Sequence, residues 1–157
     1  MTTTDNRTST DRIEKRVMLR ATRSRVWRAL TTAEEFGAWF GVKFEAGFAE
    51  GAPVRGRLTI KGYEHVMLEL FIEQIQPEHH FSYRWHPYAV DANLDYSAEP
   101  TTLVEFRLDE ADGGTQLTIV ESGFDRLPAS RRAEAFRMND GGWTGQAKNL
   151  ERYVTAG

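Results

Sequence analysis

The residue whose type and position most clearly suggest chemistry is Glu121. It follows Leu117 and Ile119 at alternate positions, which is the spacing of side chains on one face of a β-strand. Burying a carboxylate on an apolar face is costly unless it is paired, protonated or hydrated. We therefore expect Glu121 either to reach solvent at its strand end or to face an internal cavity. In a cavity it would orient a ligand hydroxyl or act as a general base with Tyr83 or a histidine, which makes it a weak catalytic candidate.

Other kinds of catalytic or metal site find little support in the sequence. The histidines, at positions 65, 79, 80 and 86, show neither the H-x-H nor the H-x-x-x-H spacing of metal ligands, and there is no cysteine. No G-x-S-x-G elbow is present, and no glycine-rich loop joins a strand to a helix. We expect no metal, nucleotide or other cofactor.

Aromatic side chains alternate on one further predicted strand, His80–His86, where Phe81, Tyr83 and Trp85 share a face. Most such residues simply form a core, but those near one end of a sheet also line ligand pockets, which are apolar with few polar groups. The ligand-binding residues that we predict have large or polar side chains on the inner face of the sheet or on the helices facing it. They are Trp39, Phe81, Tyr83, Trp85, Phe106, Ile119, Glu121 and Trp143.

The first part of the chain predicts a tail, a strand and two short helices. Residues 1–11 are polar without periodicity, which predicts a disordered tail. A strand begins at Ile13, with Lys15 its one misfit on the apolar face. Thr22 is a good cap for the first helix, and Thr32 with Glu35 has capping-box spacing for the second, which Gly41 would end.

Six further strands and a long helix follow. The alternating segments are Val42–Phe48, Val54–Ile60, His65–Ile75 with a bulge or end after Ile72, His80–His86, one through Val104, Phe106 and Leu108, and one from Thr115 to Gly123. Residues 87–100 form a polar loop that is either a lid or an exposed connection. From Pro128 an apolar stripe predicts a helix that crosses the sheet, with a kink or split at Asn139–Gly142.

Length and charge narrow the functional class. The 157 residues suit one domain, and the net charge of −3, with both signs interspersed, argues against a nucleic-acid surface. No run reaches the ~18 apolar residues of a membrane span, and no signal peptide is evident after Met1. We expect a cytoplasmic protein, with residues 12–157 as the folded domain.

The order β-α-α-β6-α requires an antiparallel sheet with an apolar face that only the last helix is long enough to cover. Four stretches in this order resemble the activator-of-heat-shock-ATPase-like branch of the START/SRPBCC superfamily, with its Bet v-like fold. They are Val26–Leu30 with Trp39-Phe40; Ile75-Gln-Pro77 before Phe81–Trp85; Val104–Leu108 with Gly114–Ile119 and Ser122-Gly-Phe124; and Gly142-Trp143 with Leu150 and Tyr153.

The resemblance implies an α+β helix-grip fold, in which a seven-stranded antiparallel sheet wraps around the C-terminal helix and leaves a cavity. It implies no single function. Binding of a small hydrophobic, lipid-like or aromatic ligand without catalysis is our main hypothesis. The alternatives are an enzyme of the polyketide cyclase/dehydratase type using the same cavity, and a co-chaperone-like interaction with a chaperone or other protein, with Trp39 and Phe40 as an exposed contact. We expect a monomer or weak homodimer.

Overall fold

The computed structural model describes residues 10–156 and contains one antiparallel sheet of seven strands. Their order across the sheet is β1-β7-β6-β5-β4-β3-β2, so β1 and β2 form the two edges. The strands are β1 (Arg12–Leu19), β2 (Val42–Phe44), β3 (Pro53–Leu58), β4 (Met67–Gln76), β5 (His80–Trp85), β6 (Thr102–Ala111) and β7 (Gly114–Ser122).

Three α-helices cover the inner face of this sheet. They are α1 (Arg23–Thr31), α2 (Ala33–Phe40) and α3 (Ala129–Ala156), the last preceded by a 3₁₀ turn at Phe124–Arg126. The buried stripe of α3 consists of Ala135, Trp143, Ala147, Leu150 and Val154. The fold is therefore the predicted α+β helix-grip arrangement, with α3 held against the sheet by apolar side chains at helical spacing.

A chain of aromatic rings forms the core between the sheet and α2. Phe36 has no more than 1% of its surface exposed, and its ring lies 4.7 Å from Trp39 and 6.2 Å from Tyr83. Phe81 and Phe106, which are paired across β5 and β6, stack with centroids 6.0 Å apart. This packing fills the end of the fold beneath α2.

Several predicted strand boundaries were wrong. β2 ends at Phe44 rather than Phe48, because Phe48 turns inward and stacks on Phe81 at 5.6 Å. β3 ends at Leu58, and β4 begins at Met67 rather than His65, since residues 59–66 form turns. The predicted irregularity after Ile72 is confirmed, as the register of β4 on β5 shifts between Ile72 and Gln74.

Two helix predictions were also wrong. The side chain of Thr32 makes no capping hydrogen bond, because Glu35 instead binds Arg25 at 2.7 Å and Arg28 at 3.1 Å. Of the predicted kink or split at Asn139–Gly142, the split is wrong, because α3 is one continuous helix from Ala129 to Ala156. Its glycines cost helix propensity, but the apolar stripe on either side of them packs against the sheet and outweighs that cost.

The predicted start of α1 and the predicted end of α2 are confirmed. Thr22 caps α1 by accepting a hydrogen bond from the backbone N–H of Arg25, and Gly41 ends α2 with a φ of 98°. The misfit Lys15 forms an ion pair with Asp140 of α3 at 2.9 Å. Most of the predicted tail, residues 1–9, lies outside the described residues, whereas Thr10 donates a hydrogen bond to Asp125 at 2.6 Å.

None of the helices found between residues 10 and 156 has the length and apolar character needed to cross a membrane.

Candidate functional site

A cavity of about 220 Å³ lies between α3 and the end of the sheet formed by β3, β4 and β5. Most of its lining side chains are aliphatic or aromatic. They are Phe40, Leu58, Ile60, Tyr63, Val66, Leu68, Trp85, His86, Tyr88, Ala89, Val90, Met138, Asn139, Gly142, Trp143 and Gln146. Ile60 is 37% exposed and stands where the cavity reaches the surface. Larger clefts of about 660 Å³ and 440 Å³ lie elsewhere on the described part of the chain. We call the present space the principal cavity because it lies between α3 and the sheet and has an aromatic wall.

Trp85 and Trp143 form part of the wall of the principal cavity, and both donate hydrogen bonds to the same carboxylate. Their ring centroids are 5.9 Å apart, at an interplanar angle of 31°. The indole N–H of Trp85 donates to Oε2 of Glu121 at 2.7 Å, and that of Trp143 donates to Oε1 at 2.8 Å. One buried acid thus fixes the orientation of two cavity-wall rings.

Two further side chains complete the set of donors to Glu121. The Thr102 hydroxyl donates to Oε2 at 2.6 Å, and the Asn139 amide lies 3.0 Å from Oε1 and 3.2 Å from Oε2. Thr102 reaches this point because it is paired with Trp85 across β5 and β6. Asn139 and Trp143 are four residues apart on α3, so they lie on one face of the helix.

Opposing influences act on the ionisation of Glu121, and on balance its pKa is raised. Burial is the largest influence and raises its pKa, while the hydrogen bonds from Thr102, Trp85, Trp143 and Asn139 work to lower it. An indole N–H can only donate, so neither tryptophan could accept a proton held on the acid. Neither predicted location for Glu121 is observed, because the residue is completely buried and does not line the cavity, but lies behind the indoles of Trp85 and Trp143.

Tyr83, the predicted partner of Glu121, is fully buried and lies outside the cavity wall. Its hydroxyl has no hydrogen-bond partner among the described residues. Burial, and then the negative charge of Glu121, raise its pKa well above the usual value for a tyrosine. A phenol in that state does not exchange protons with a substrate at neutral pH.

The predicted ligand residues fall into two groups. Trp85 and Trp143 line the principal cavity, and Glu121 lies behind them. Trp39, Phe81, Phe106 and Ile119 are packed in the core and do not line it. Trp39 is 5% exposed and donates its indole N–H to the Ala29 carbonyl at 2.9 Å, so its type and position are explained by packing.

The loop 87–100 covers one side of the cavity with its first residues, Tyr88, Ala89 and Val90. It is tied to the domain at both ends. His65 binds the Val90 carbonyl at 2.8 Å, and His86 binds the Glu99 carbonyl at 3.1 Å. A second, more polar cavity of about 270 Å³ lies against the same loop, which is therefore a wall between two spaces.

Arg131 of α3 is the main anchor of this loop. Its guanidinium forms an ion pair with Glu99 at 3.0 Å and donates to the carbonyls of Tyr88 at 3.1 Å and Pro87 at 3.0 Å. It also lies over the Tyr96 ring at 4.7 Å. Tyr88 has a φ of 49°, which a tyrosine rarely adopts, so these contacts hold the loop in a constrained shape.

Sequence reasoning missed Arg131, Asn139 and Tyr88. Asn139 was interpreted as part of a helix break, although its position one turn before Trp143 indicated a shared face. Nothing in the sequence around Arg131 or Tyr88 indicates their contacts, because their partners are more than 30 residues away.

No group of His, Cys, Asp and Glu side chains able to hold a metal ion occurs in the part of the chain that the structure describes.

Comparison with known proteins identifies the family to which the chain belongs. Residues 20–155 match the family model described as Activator of Hsp90 ATPase homolog 1-like protein. No curated protein matches the chain. A solved structure from Mesorhizobium loti has 20% identity and a TM-score of 0.73, over 92% of this chain and 97% of that one. The Aha1 dimer from Colwellia psychrerythraea has 15% identity and a TM-score of 0.68, over 91% and 95%.

A further match is DynU16, a protein in the dynemicin biosynthetic locus, with 23% identity and a TM-score of 0.70. The match covers 92% of this chain but 47% of DynU16, so the chain spans about half the length of that protein. These identities are low, and the structural matches therefore show a shared fold.

Proposed function

The chain belongs to the family of Activator of Hsp90 ATPase homolog 1-like proteins, and we propose that it binds one small, mostly apolar molecule in the principal cavity. The observation that carries this proposal is an apolar, aromatic-walled space between α3 and the sheet, with few polar groups. Ligand sites in proteins have this character. A space that only completed the core would be filled by side chains, since interiors are close-packed.

The size of the cavity limits the ligand. An engineered apolar cavity of about 150 Å³ holds a benzene molecule. The principal cavity, at about 220 Å³, has room for a compact molecule with one or two rings, and its opening at Ile60 allows a longer substituent to extend outward. A lipid-like ligand would have to leave most of its chain outside this space.

Binding without catalysis is favoured over an enzyme that uses Glu121 as its base. Both carboxylate oxygens already accept hydrogen bonds, and the two indoles lie between them and the cavity. A base must come within hydrogen-bond reach of the proton that it takes, and Glu121 reaches only its own donors. We assign Glu121 the role of positioning Trp85 and Trp143.

A co-chaperone-like role remains a second candidate only because of the family name. The contact suggested by the sequence, Trp39 with Phe40, is not exposed, since the two residues keep 5% and 8% of their surface accessible. The exposed large apolar residues Met18, Ile60, Phe71 and Leu94 lie on four different segments. Scattered apolar residues of this kind are ordinary on protein surfaces.

The experiment that tests the proposal is native mass spectrometry of the freshly purified protein, followed by denaturing extraction. We expect an added mass of a one- or two-ring molecule that extraction releases. A clean apo mass, together with no thermal shift across a library of one- and two-ring compounds, would refute the proposal.

A further inference from the structure

The wall of the principal cavity carries more chemical information than its apolar character. Five of its side chains are aromatic, namely Phe40, Tyr63, Trp85, Tyr88 and Trp143. Aromatic faces are negative at their centres and attract cations, and cages of such rings bind organic ammonium groups in other proteins. An ordinary lipid site has no need of so many rings, since aliphatic side chains would bury the same apolar surface.

The charge behind the wall strengthens this preference. Trp85 and Trp143 both donate their indole N–H groups to Glu121, whose burial is complete. Donating to an anion polarises a hydrogen-bonded ring, which makes its π face a better partner for a cation. In its ionised form, the same buried carboxylate also places negative potential beneath the cavity, in surroundings that screen it weakly.

Asn139 supplies an acceptor at this point of the wall. Its amide nitrogen faces Glu121 at 3.0 Å and 3.2 Å, which fixes the orientation of the amide because a carboxylate only accepts. The amide oxygen therefore points away from the acid, and it has no hydrogen-bond partner among residues 10–156. A ligand N–H at this place would find an open acceptor.

His86 offers the cavity a second acceptor. Its Nε2 must carry a proton to bind the Glu99 carbonyl at 3.1 Å, so in the neutral ring Nδ1 has a free lone pair. The wall of the cavity, as far as the described residues form it, contains no lysine or arginine. Arg131, which anchors the loop that forms part of the wall, is paired with Glu99 at 3.0 Å. The wall therefore offers a carboxylate no lysine or arginine partner.

From these four features we propose that the ligand is an arylalkylamine in its cationic form, with its ammonium group at Asn139 and its ring among Tyr63, Trp85 and Trp143. This inference rests on the proposed function, since it names the chemical class that the same cavity selects. The proposal of a cationic ligand excludes fatty acids and aromatic carboxylates. The selectivity comes from ring faces and a buried anion rather than from an exposed charged side chain.

The test is calorimetric titration of the full chain with three probes that share one ring system: naphthylmethylammonium, naphthylmethanol and naphthoate. We expect the ammonium to bind about tenfold more tightly than the alcohol, and the carboxylate to bind most weakly. Equal binding of all three, or tighter binding of naphthoate, would overturn this inference and leave cavity binding intact. If none of the three binds, both proposals fail.

A variant separates cation selectivity from general packing. Tyr63 is only half-buried, and Tyr63→Leu keeps an apolar side chain in place while removing one ring. We expect this change to weaken the binding of both probes, and to weaken binding of the ammonium about threefold to tenfold more than binding of the alcohol. An equal loss for both probes would show that the ring contributes packing alone, and would count against the inference.

Discussion

Oε1 of Glu121 accepts a hydrogen bond from the indole N–H of Trp143 at 2.8 Å, across the space between β7 and α3. Since Oε2 accepts from Trp85 of β5 at 2.7 Å, the carboxylate links the last helix to two strands of the sheet. The same two indoles line the principal cavity. The stability of the domain and the shape of its cavity therefore depend on one acid.

The first prediction concerns this acid directly. Glu121→Gln keeps one acceptor oxygen but turns an NH₂ group toward Trp85 or Trp143, whose indole N–H can only donate, so one indole loses its partner. We expect a loss of roughly 2–3 kcal/mol in the free energy of unfolding, measured by urea denaturation. Glu110→Gln, at an exposed position of β6, is the matched control and should change stability by less than about 0.5 kcal/mol. Equal stability of the two variants would contradict the role given to Glu121.

The second prediction is a pH dependence of opposite sign at two acids. The folded protein raises the pKa of Glu121, chiefly through burial, so the stability from this residue is full below its unfolded pKa and is lost as pH rises through the folded value. At Glu35, burial also acts to raise the pKa, but the hydrogen bonds from Arg25 and Tyr153 outweigh it and the pKa falls. The stability from Glu35 is therefore lost as pH falls.

Two variants make this difference measurable. As pH falls from about 7 toward the ordinary glutamate pKa of 4.5, the stability gap between the parent and Glu121→Gln should widen. The gap between the parent and Glu35→Gln should stay constant over that range and narrow only at lower pH, because folding lowers the pKa of Glu35. Thermal melts at several pH values would measure both gaps. Gaps that move in the same direction would show that one of the two environments has been wrongly interpreted.

The third prediction concerns the loop 87–100 and its anchor. Arg131→Leu removes the ion pair to Glu99 and the bonds to the carbonyls of Tyr88 and Pro87. We expect faster hydrogen exchange of the loop amides and a raised dissociation rate for any cavity ligand, because the loop forms part of the wall.

The control for this change is Arg152→Leu, also on α3, where the arginine is exposed and, within residues 10–156, bonds only to the side chain of Asn149. It should leave loop exchange unchanged. If the loop amides exchange as slowly in the Arg131→Leu variant as in the parent, the loop is held by His65 and His86 alone and Arg131 is not its anchor.

The sequence predicted features that depend on neighbouring residues better than features that depend on contacts between distant parts of the chain. The alternation of Leu117, Ile119 and Glu121 predicted the inward direction of the acid, because side-chain direction in a strand is local. The sequence left open what would surround the acid, since its four donors come from β5, β6 and α3 and meet only when the sheet is closed by the helix.

The same reasoning explains why several predicted ligand residues do not line the principal cavity. Phe81 and Phe106 have the same residue type and strand phase as Trp85, and only the position along the strand distinguishes core from cavity wall. The prediction of a split in the last helix was wrong for a related reason. Gly141 and Gly142 lower the local helix propensity, but Trp143 and the apolar residues after it are fixed by tertiary packing, which a propensity scale does not include.

The two adjacent glycines of α3 provide the most direct test of the central claim, that the principal cavity binds a small apolar molecule. Gly142 lines the cavity and Gly141 does not, and a side chain added at either position meets no atom within 4 Å at its Cβ. The leucine side chain of Gly142→Leu should therefore fill the cavity, whereas that of Gly141→Leu should point away from the cavity. Both changes should stabilise α3 by roughly 0.5–1 kcal/mol, since glycine is a poor helix former.

The measurement is calorimetric titration of the parent and both variants with naphthylmethanol, the neutral probe. We predict saturable binding with the same Kd for the parent and Gly141→Leu, and binding to Gly142→Leu that is weaker by at least about tenfold. Unchanged binding to Gly142→Leu would contradict the account, because the molecule would then be bound somewhere other than the space between α3 and the sheet.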